Sequence, residues 1–281
     1  MKISLHKAED WRMDGGAAFG VVPQTIWGKL IQPDENNLIP ITTRCLLVQE
    51  DDGRNILFDT GMGRKQSEKY YGYRFIEGDH DLIASLKKQG LTPEDITDVV
   101  FTHLHDDHCG GATYRDRDGA IRLTFPKATH HVSEAQWLWA IHPNSREAGS
   151  FFPVNLKPLE ESGQLNLIKE PGNFSEHITL HRFDGHTRGQ LIPEIRINGK
   201  TLFFTADFIP SPAHIPIPFV ASVDIEPLIA LKEKEQFLDE ACEKGWILLF
   251  QHDRDTEACT LVRTEKGVRA GENLRLTEIL D

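Results

Sequence analysis

Continuous apolar runs recur along the chain, and residues that favour turns separate them. CLLVQ and NILFD, within residues 44–60, flank DDGR and predict a β-hairpin, because Asp and Gly supply turn conformations between two apolar runs. EIRI and TLFF flank Asn198–Gly199 and predict a second hairpin. DVVFT and WILLF are unbroken apolar or β-branched runs, which are typical of strands buried on both faces.

Helical spacing of apolar residues alternates with these strands. Residues 79–90 carry leucine and isoleucine on one helical face and end at Gly90, a residue that commonly follows a helix. Ser133 predicts the N-cap of a helix in SEAQWLWA. Residues 224–245 are amphipathic and predict a helix that ends at Gly245. LVRTEKGVRA predicts a last hairpin.

The mixture of strands and helices predicts an α/β fold. The chain has no low-complexity segment, no block of like charge and no short repeat, so a single domain over residues 1–281 is expected. Residues 142–158 are the exception to regular structure. Their proline and asparagine content predicts a long loop or lid inserted into that domain.

Composition restricts the partners of the protein. A net charge of −12 disfavours binding to nucleic acid, and a small-molecule substrate is expected instead. No window approaches the roughly 20 apolar residues of a membrane span, so no membrane association is expected. The four cysteines lack the CxxC spacing of zinc ribbons and fit a reducing cytoplasm. A signal peptide removed beforehand would leave no trace in this sequence.

Residues that commonly bind metals follow four of the strand-like runs. They are His103, Asp184 with His186, Asp207, and His252. Side chains at the same ends of several strands converge on one crevice in open α/β sheets. THLHDDH alone offers His103, His105, Asp107 and His108, and imidazole and carboxylate groups suit Zn²⁺ and related ions. Because one metal ion takes only three or four protein ligands, two ions are predicted. Asp106 is expected to point away from them, and Gly110–Gly111 either lets the backbone pass close by or forms a simple turn.

HLHDDH follows the H-x-H-x-D-H pattern and resembles the signature of the metallo-β-lactamase superfamily. DTG at 59–61, GHT at 185–187, TAD at 205–207 and QHD at 251–253 resemble its other motifs in order. The resemblance implies a four-layer αββα sandwich with two metal ions. By position it assigns His103, His105 and His186 to the first ion, Asp107, His108 and His252 to the second, and Asp207 to a bridge between them. Asp59 would orient the ligand turn without touching metal, although Asp before a glycine also marks ordinary turns.

The C-terminal part of the chain looks most like the branch of methyl parathion hydrolase and quorum-quenching lactonases. Zinc β-lactamases usually carry Cys at the position of Asp207, and flavodiiron proteins carry an acid at the position of His105, so both activities are disfavoured. Lactonases of this branch commonly carry Tyr three residues after the bridging Asp. Pro210 stands there in this chain, which puts lactone specificity in doubt.

A hydroxide that bridges two divalent ions would attack the substrate, because coordination makes water acidic near neutral pH. Zn is the expected metal, with Fe or Mn as alternatives, and Asp107 is the predicted catalytic residue that passes a proton to the leaving group. The substrate is predicted to be a small ester, a lactone or a related compound. Phosphotriesters, phosphodiesters and thioesters of the glyoxalase II type are the alternatives, and a metal-binding sensor or structural protein is the non-enzymatic one.

The residues that line the substrate pocket are not assigned from the sequence. Residues 10–27 contain Trp, Phe and Met among glycines, and we expect core or a dimer contact there rather than a pocket wall. A homodimer is therefore one of the states that the sequence allows. Histidines away from the motifs, at 130, 131, 142, 181 and 214, are expected to lie in the core or at the surface.

Overall fold

The structure, a computed structural model, describes residues 1–280. The chain forms two compact units. The first comprises Met1–Asp10 and Thr43–Glu170, and the second comprises Trp11–Thr42 and the residues from Pro171 onward. Both contain strands and helices, which confirms the predicted α/β class. The assignment of residues 1–281 to one domain stays a prediction.

The described residues form fourteen strands and nine α-helices. The strands are β1 (Lys2–Asp14), β2 (Leu38–Gln49), β3 (Asn55–Phe58), β4 (Asp98–Val100), β5 (Thr113–Arg115), β6 (Ile121–Leu123), β7 (Thr129–Ser133), β8 (Leu165–Ile168), β9 (Ile178–Phe183), β10 (Gln190–Ile197), β11 (Lys200–Phe204), β12 (Ile247–Leu249), β13 (Ala258–Thr264) and β14 (Gly267–Leu274). The helices are α1 (Gly15–Phe19), α2 (Gln24–Trp27), α3 (Glu68–Gly72), α4 (Leu82–Lys88), α5 (Asp106–Cys109), α6 (Glu134–Ile141), α7 (Pro153–Glu161), α8 (Pro227–Lys244) and α9 (Leu276–Leu280).

The sheet of the first unit has the order β1-β2-β3-β4-β7-β8, and β1 and β2 each continue into the second unit. β2 and β3 form the predicted antiparallel hairpin, while β3, β4, β7 and β8 run parallel. Asp81 caps α4 and Ser133 caps α6, each through its side chain. Buried apolar residues such as Leu57, Val99 and Phe101 form the core of this unit.

The sheet of the second unit has the order β14-β13-β12-β11-β10-β9, in which only β11 and β12 pair in parallel. Asn198 and Gly199 have φ of 52° and 72° and close the predicted hairpin of β10 and β11. α8 ends at Gly245, which adopts a left-handed conformation with φ of 67°. β13 and β14 form the predicted last hairpin.

Residues 10–27 contribute core side chains to the second unit. Phe19 is fully buried and stacks on Trp27 and on His214, with ring centroids 5.1 and 4.6 Å away respectively. Trp11 is also buried and meets the ring of His252 edge-on. The expectation of core packing in this segment is therefore confirmed.

Helix α7 differs from the loop predicted over residues 142–158. Pro153 occupies the first helical turn, where a missing N–H costs nothing. Pro158 lies inside the helix and cannot donate to the carbonyl of Val154. The Thr113 hydroxyl donates to that carbonyl instead, at 3.4 Å, so a tertiary contact compensates for the proline. A role as a lid for residues 142–158 stays a prediction.

The cysteines and the apolar content of the helices are two further features of the structure. All four cysteines are free thiols, as their scattered spacing predicts. Over residues 1–280, no helix has both the length and the apolar character needed to cross a bilayer.

Candidate metal centre

The ligand turn, residues 102–108, lies in the first unit. It starts two residues beyond β4 and runs into the short helix α5. His103 Nε2 lies 3.0 Å from His105 Nδ1, and the ring centroids of His103 and His108 are 3.8 Å apart. His108 Nε2 lies 3.6 Å from Asp107 Oδ1. The extended backbone of His105, followed at once by a helical turn, folds this stretch back on itself. The structure thus brings together the four candidate ligands of THLHDDH.

Gly110 and Gly111 allow the loop that follows β3 to pass directly against this turn. A Cβ atom on Gly111 would lie 2.0 Å from the carbonyl oxygen of Thr60, and one on Gly110 would lie 2.2 Å from that of Met62. The backbone N–H of Thr60 donates to the carbonyl of His108 at 2.7 Å. Of the two readings of the Gly pair, close backbone passage is therefore the correct one.

Asp59 lies at the start of this loop and hydrogen-bonds to both ends of the ligand turn. Its backbone φ is 58°, an uncommon value for a residue other than glycine. Its fully buried carboxylate accepts hydrogen bonds from the backbone N–H of Thr102, from the Thr102 hydroxyl and from His108 Nδ1, at 2.8, 2.8 and 2.9 Å. Since the Thr102 hydroxyl donates its proton to Asp59, it accepts from His103 Nδ1, which lies 3.1 Å away.

The second unit brings together the remaining three candidate ligands. His186 Nε2 lies 3.2 Å from Asp207 Oδ2, and His252 Nε2 lies 2.7 Å from Asp207 Oδ1. Asp207 follows β11, and the residue before it, Ala206, has an uncommon φ of 41°. Gly185 is needed beside His186, because a Cβ there would lie 2.3 Å from the Cα of Ala230 in α8.

Each of the five candidate histidines directs one ring nitrogen to an oxygen that acts as a hydrogen-bond acceptor. The pairs are His103 with Thr102 (3.1 Å), His105 with Glu147 (2.8 Å), His108 with Asp59 (2.9 Å), His186 with Asp224 (2.8 Å) and His252 with the carbonyl of Thr42 (2.8 Å). A neutral ring that donates from this outer nitrogen keeps the lone pair of its other, inner nitrogen. That inner nitrogen faces another candidate ligand, which is the position that a metal ligand must occupy.

Other side chains near the motifs have different partners. Asp106 points away from the neighbouring ligands, as expected, and accepts hydrogen bonds from Tyr70 and from Arg74, the latter at 2.7 Å. Burial raises the pKa of Asp106, and the charge of Arg74 opposes that shift. Asp184 accepts from the backbone N–H of Gly189 at 2.7 Å and so closes its own turn.

The histidines outside the motifs do not join these clusters. His131 pairs with Asp98, His181 pairs with Glu194, and His214 hydrogen-bonds to Ser211, while His130 is buried in the first unit and His142 is exposed. The expectation that they lie in the core or at the surface is confirmed.

Four residues outside the motifs carry no signal in the sequence, and three of them, Glu147, Asp224 and Thr42, contact the ligand sets. Glu147 and Asp224 lie 42 and 38 residues from the histidines that they contact, and neither belongs to a motif. Thr42 acts through its backbone carbonyl. Glu9 accepts from the backbone N–H of Met62, and burial raises its pKa to about 8, against the opposing charge of Arg64.

Comparisons with known proteins identify the family of this chain. The sequence model of the Metallo-beta-lactamase superfamily matches residues 39–252. An N-acyl homoserine lactonase from Bacillus cereus is 33% identical over 79% of this chain and 85% of its own length. The crystal structure of a probable metal-dependent hydrolase from Staphylococcus aureus is 30% identical, with a TM-score of 0.87 over 98% of this chain and 99% of that one.

A more distant neighbour shares the fold. AidC, a dizinc quorum-quenching lactonase in complex with a product, is 21% identical, with a TM-score of 0.79 over 98% of this chain and 95% of its own. The fold that the motifs predict is therefore confirmed. With a family match over more than half of its residues, the chain belongs to the metallo-β-lactamase superfamily, and it is a metal-dependent hydrolase.

Proposed function

We propose that the protein is a binuclear metal-dependent hydrolase that cleaves a small ester or lactone. The observation that carries this proposal is the common arrangement of the five histidines, each of which directs its outer nitrogen to an acceptor oxygen. Donation from these outer nitrogens leaves the lone pairs on the inner nitrogens, which face other candidate ligands. A purely structural cluster of histidines has no need for this uniform arrangement.

The proposed ligands form two sets. His103, His105, His186 and Asp207 would hold one ion, and Asp107, His108 and His252 would hold the other. The family resemblance assigns Asp207 to the second ion as well, and its Oδ1 lies 2.7 Å from His252 Nε2. Imidazole and carboxylate donors fit Zn²⁺ first, and they also fit Fe and Mn. When bound, such ions supply an acidified water as nucleophile and polarise the substrate oxygen.

The residues of this chain would orient the ligands and move a proton. Asp59 fixes the ligand turn through three accepted hydrogen bonds, and Asp224 fixes the ring of His186. Asp107 is the group that we assign to proton transfer, because its partly exposed carboxylate lies at the rim of the buried histidines of its turn. It would take the proton released by the nucleophile and pass it to the departing alkoxide.

A lactone is the substrate class that the curated relatives favour, since the Bacillus cereus protein is an N-acyl homoserine lactonase. Pro210, which has no side-chain hydroxyl to offer a substrate carbonyl, argues for a different ester. Phosphotriesters, phosphodiesters and thioesters are the alternative substrates. A homodimer and a cytoplasmic location stay predictions.

Metal content is the first test. We expect elemental analysis of the purified protein to find two equivalents of divalent metal per chain, with Zn as the principal element. The His105→Ala variant should retain fewer equivalents, whereas His142→Ala, which changes an exposed histidine, should match the parent protein. Zero or one equivalent in metal-supplemented parent protein would contradict the binuclear proposal.

A panel of substrates is the second test. Metal-loaded protein should hydrolyse an N-acyl homoserine lactone or an aryl ester faster than a phosphotriester or a thioester, and His105→Ala should abolish the activity. If the protein binds two metal ions and hydrolyses none of the four, the ester-hydrolase assignment fails. A metal-binding sensor or structural protein would then be the better description.

A further inference from the structure

Glu147 is a buried carboxylate that contacts one of the candidate ligands from outside the motifs. It is 4% exposed, and it lies within the stretch 142–158 that the sequence predicts as a lid. Its Oε1 lies 2.8 Å from His105 Nε2, and its Oε2 accepts from Trp139 Nε1 at 2.5 Å. The side-chain oxygen of Asn144 accepts from the backbone N–H of Glu147 at 3.0 Å, so the backbone that carries the carboxylate is anchored as well.

Both oxygens of Glu147 are thus occupied as acceptors. An indole nitrogen can only donate, and a carboxylate can only accept, so the proton of neutral His105 lies on Nε2. The lone pair of His105 is then on Nδ1, the atom 3.0 Å from His103 Nε2. His105 differs in this respect from the other four histidines, which direct Nδ1 outward.

We propose that Glu147 is the positioning residue that sets the tautomer of His105 and so makes Nδ1 available to the metal, an inference that rests on the proposed function. A histidine that donates to a carboxylate is held in orientation and becomes a more basic ligand. Glu147 would act only through His105 and would not touch the substrate.

Two further contacts hold the same segment against the ligand turn. The ring of Phe151 packs on His105, with centroids 5.1 Å apart. The ring of Phe152 meets Tyr70 edge-on, at 5.7 Å, and the Tyr70 hydroxyl donates to Asp106. Two successive residues of the segment thus pack against His105 and against Tyr70, the side chain that hydrogen-bonds to Asp106.

The Glu147→Gln variant tests the proposal with almost no change in side-chain size. An amide offers one acceptor and one donor, so it cannot accept from both Trp139 and His105. If the amide donates to His105 Nε2, the ring proton must move to Nδ1, which removes the lone pair from the metal side. We expect metal affinity, measured by competition with a chelator, to fall about 10- to 100-fold, and Glu147→Asp to recover part of it.

Asp98 provides a matched control. It forms a similar but only partly buried pair, with its Oδ1 2.8 Å from His131 Nε2, and His131 is not a candidate ligand. Asp98→Asn should leave metal affinity within about threefold of the parent protein, as should Trp139→Phe, which removes the indole donor to Glu147 Oε2. Metal affinity of Glu147→Gln within threefold of the parent, with the thermal midpoint of the metal-free protein unchanged, would overturn the proposal.

The tautomer itself can be measured in the unsubstituted protein, which avoids any failure of the variants to fold. ¹⁵N spectra of histidine-labelled, metal-free protein should show His105 protonated at Nε2, with the signal assigned by its loss in His105→Ala. Protonation at Nδ1 would overturn the proposal. A protein with the predicted tautomer that binds no metal would instead refute the proposed function, so the two failures are distinguishable.

Discussion

At the scale of single residues, the candidate ligands are defined as much by their outer contacts as by their identity. His108 and His186 each donate to a buried carboxylate, while His252 donates to a backbone carbonyl. An imidazole binds metal through a lone pair, so an acceptor behind the ring selects the reactive nitrogen before any metal arrives. Replacing such an acceptor is therefore expected to affect metal affinity more than catalysis by bound metal.

His130 is a residue whose burial predicts sensitivity to acid. Burial, and to a smaller extent the neighbouring His131, lower its pKa from 6.5 to about 4. Between these pH values the unfolded chain binds a proton that the folded protein does not. The contribution of neutral His130 to the free energy of unfolding is thus fully present above pH 6.5. It declines as the pH falls toward 4, by up to about 3 kcal/mol.

The His130→Leu variant should remove this contribution to acid sensitivity. We expect its free energy of unfolding to fall less steeply than that of the parent protein between pH 6.5 and 4, because no buried imidazole remains to be protonated. Urea unfolding at several pH values measures the slope, and His142→Leu, at an exposed position, serves as the control. Equal slopes in His130→Leu and parent protein would show that His130 does not titrate as inferred.

At the scale of elements, the ligand turn depends on the backbone that passes behind it. The carbonyl of Thr60 leaves no room for a Cβ on Gly111, and neither segment can retreat easily, because the N–H of Thr60 is bonded to His108. A side chain at this position must push the two segments apart. Overpacking of this kind typically costs 1–3 kcal/mol.

Gly111→Ala should therefore lower the free energy of unfolding by about 3 kcal/mol and weaken metal binding as well. Gly72→Ala is the matched control, since a Cβ on Gly72 meets no atom within 4 Å, and its effect should stay within about 1 kcal/mol. Denaturant unfolding and chelator competition measure the two effects. Unchanged stability and metal affinity in Gly111→Ala would mean that the loop is free to move.

Helix α7 shows how a tertiary contact can override local preference. Two prolines within six residues favour a loop when only neighbours are considered, yet Thr113 supplies the hydrogen bond that Pro158 cannot make. Thr113 is 41 residues from Val154, whose carbonyl it bonds. No local pattern encodes such a partner, which is why a loop is predicted where α7 forms.

At the scale of the whole molecule, the proposed metal ions should contribute to stability. A ligand that binds only the folded chain adds RT ln(1 + [L]/Kd), or about 2.7 kcal/mol when its free concentration is 100-fold above Kd. Treatment with a chelator should therefore lower the thermal midpoint, and restoring Zn²⁺ should raise it again. Calorimetry of parent protein and His105→Ala would check this, since the variant should respond less. An unchanged midpoint in the parent protein would argue against both metal sites.

Local chemistry is sufficient to predict much of this molecule. Asn198–Gly199 closes a hairpin and Gly245 ends α8 because positive φ angles favour these residues, whatever surrounds them. The sequence also predicts the seven candidate ligands, because each follows or lies close to a strand end and the H-x-H-x-D-H spacing is compact.

The contacts between distant residues could not be read in the same way. Nothing near Glu147 or Asp224 indicates that either carboxylate lies behind a histidine, and the carbonyl of Thr42 is chemically the same as every other backbone carbonyl. Turn conformation and ligand type depend on residues a few positions apart, whereas the acceptor behind each ring depends on which segments pack together. Tertiary packing alone therefore determines which ring nitrogen of each histidine faces the other candidate ligands.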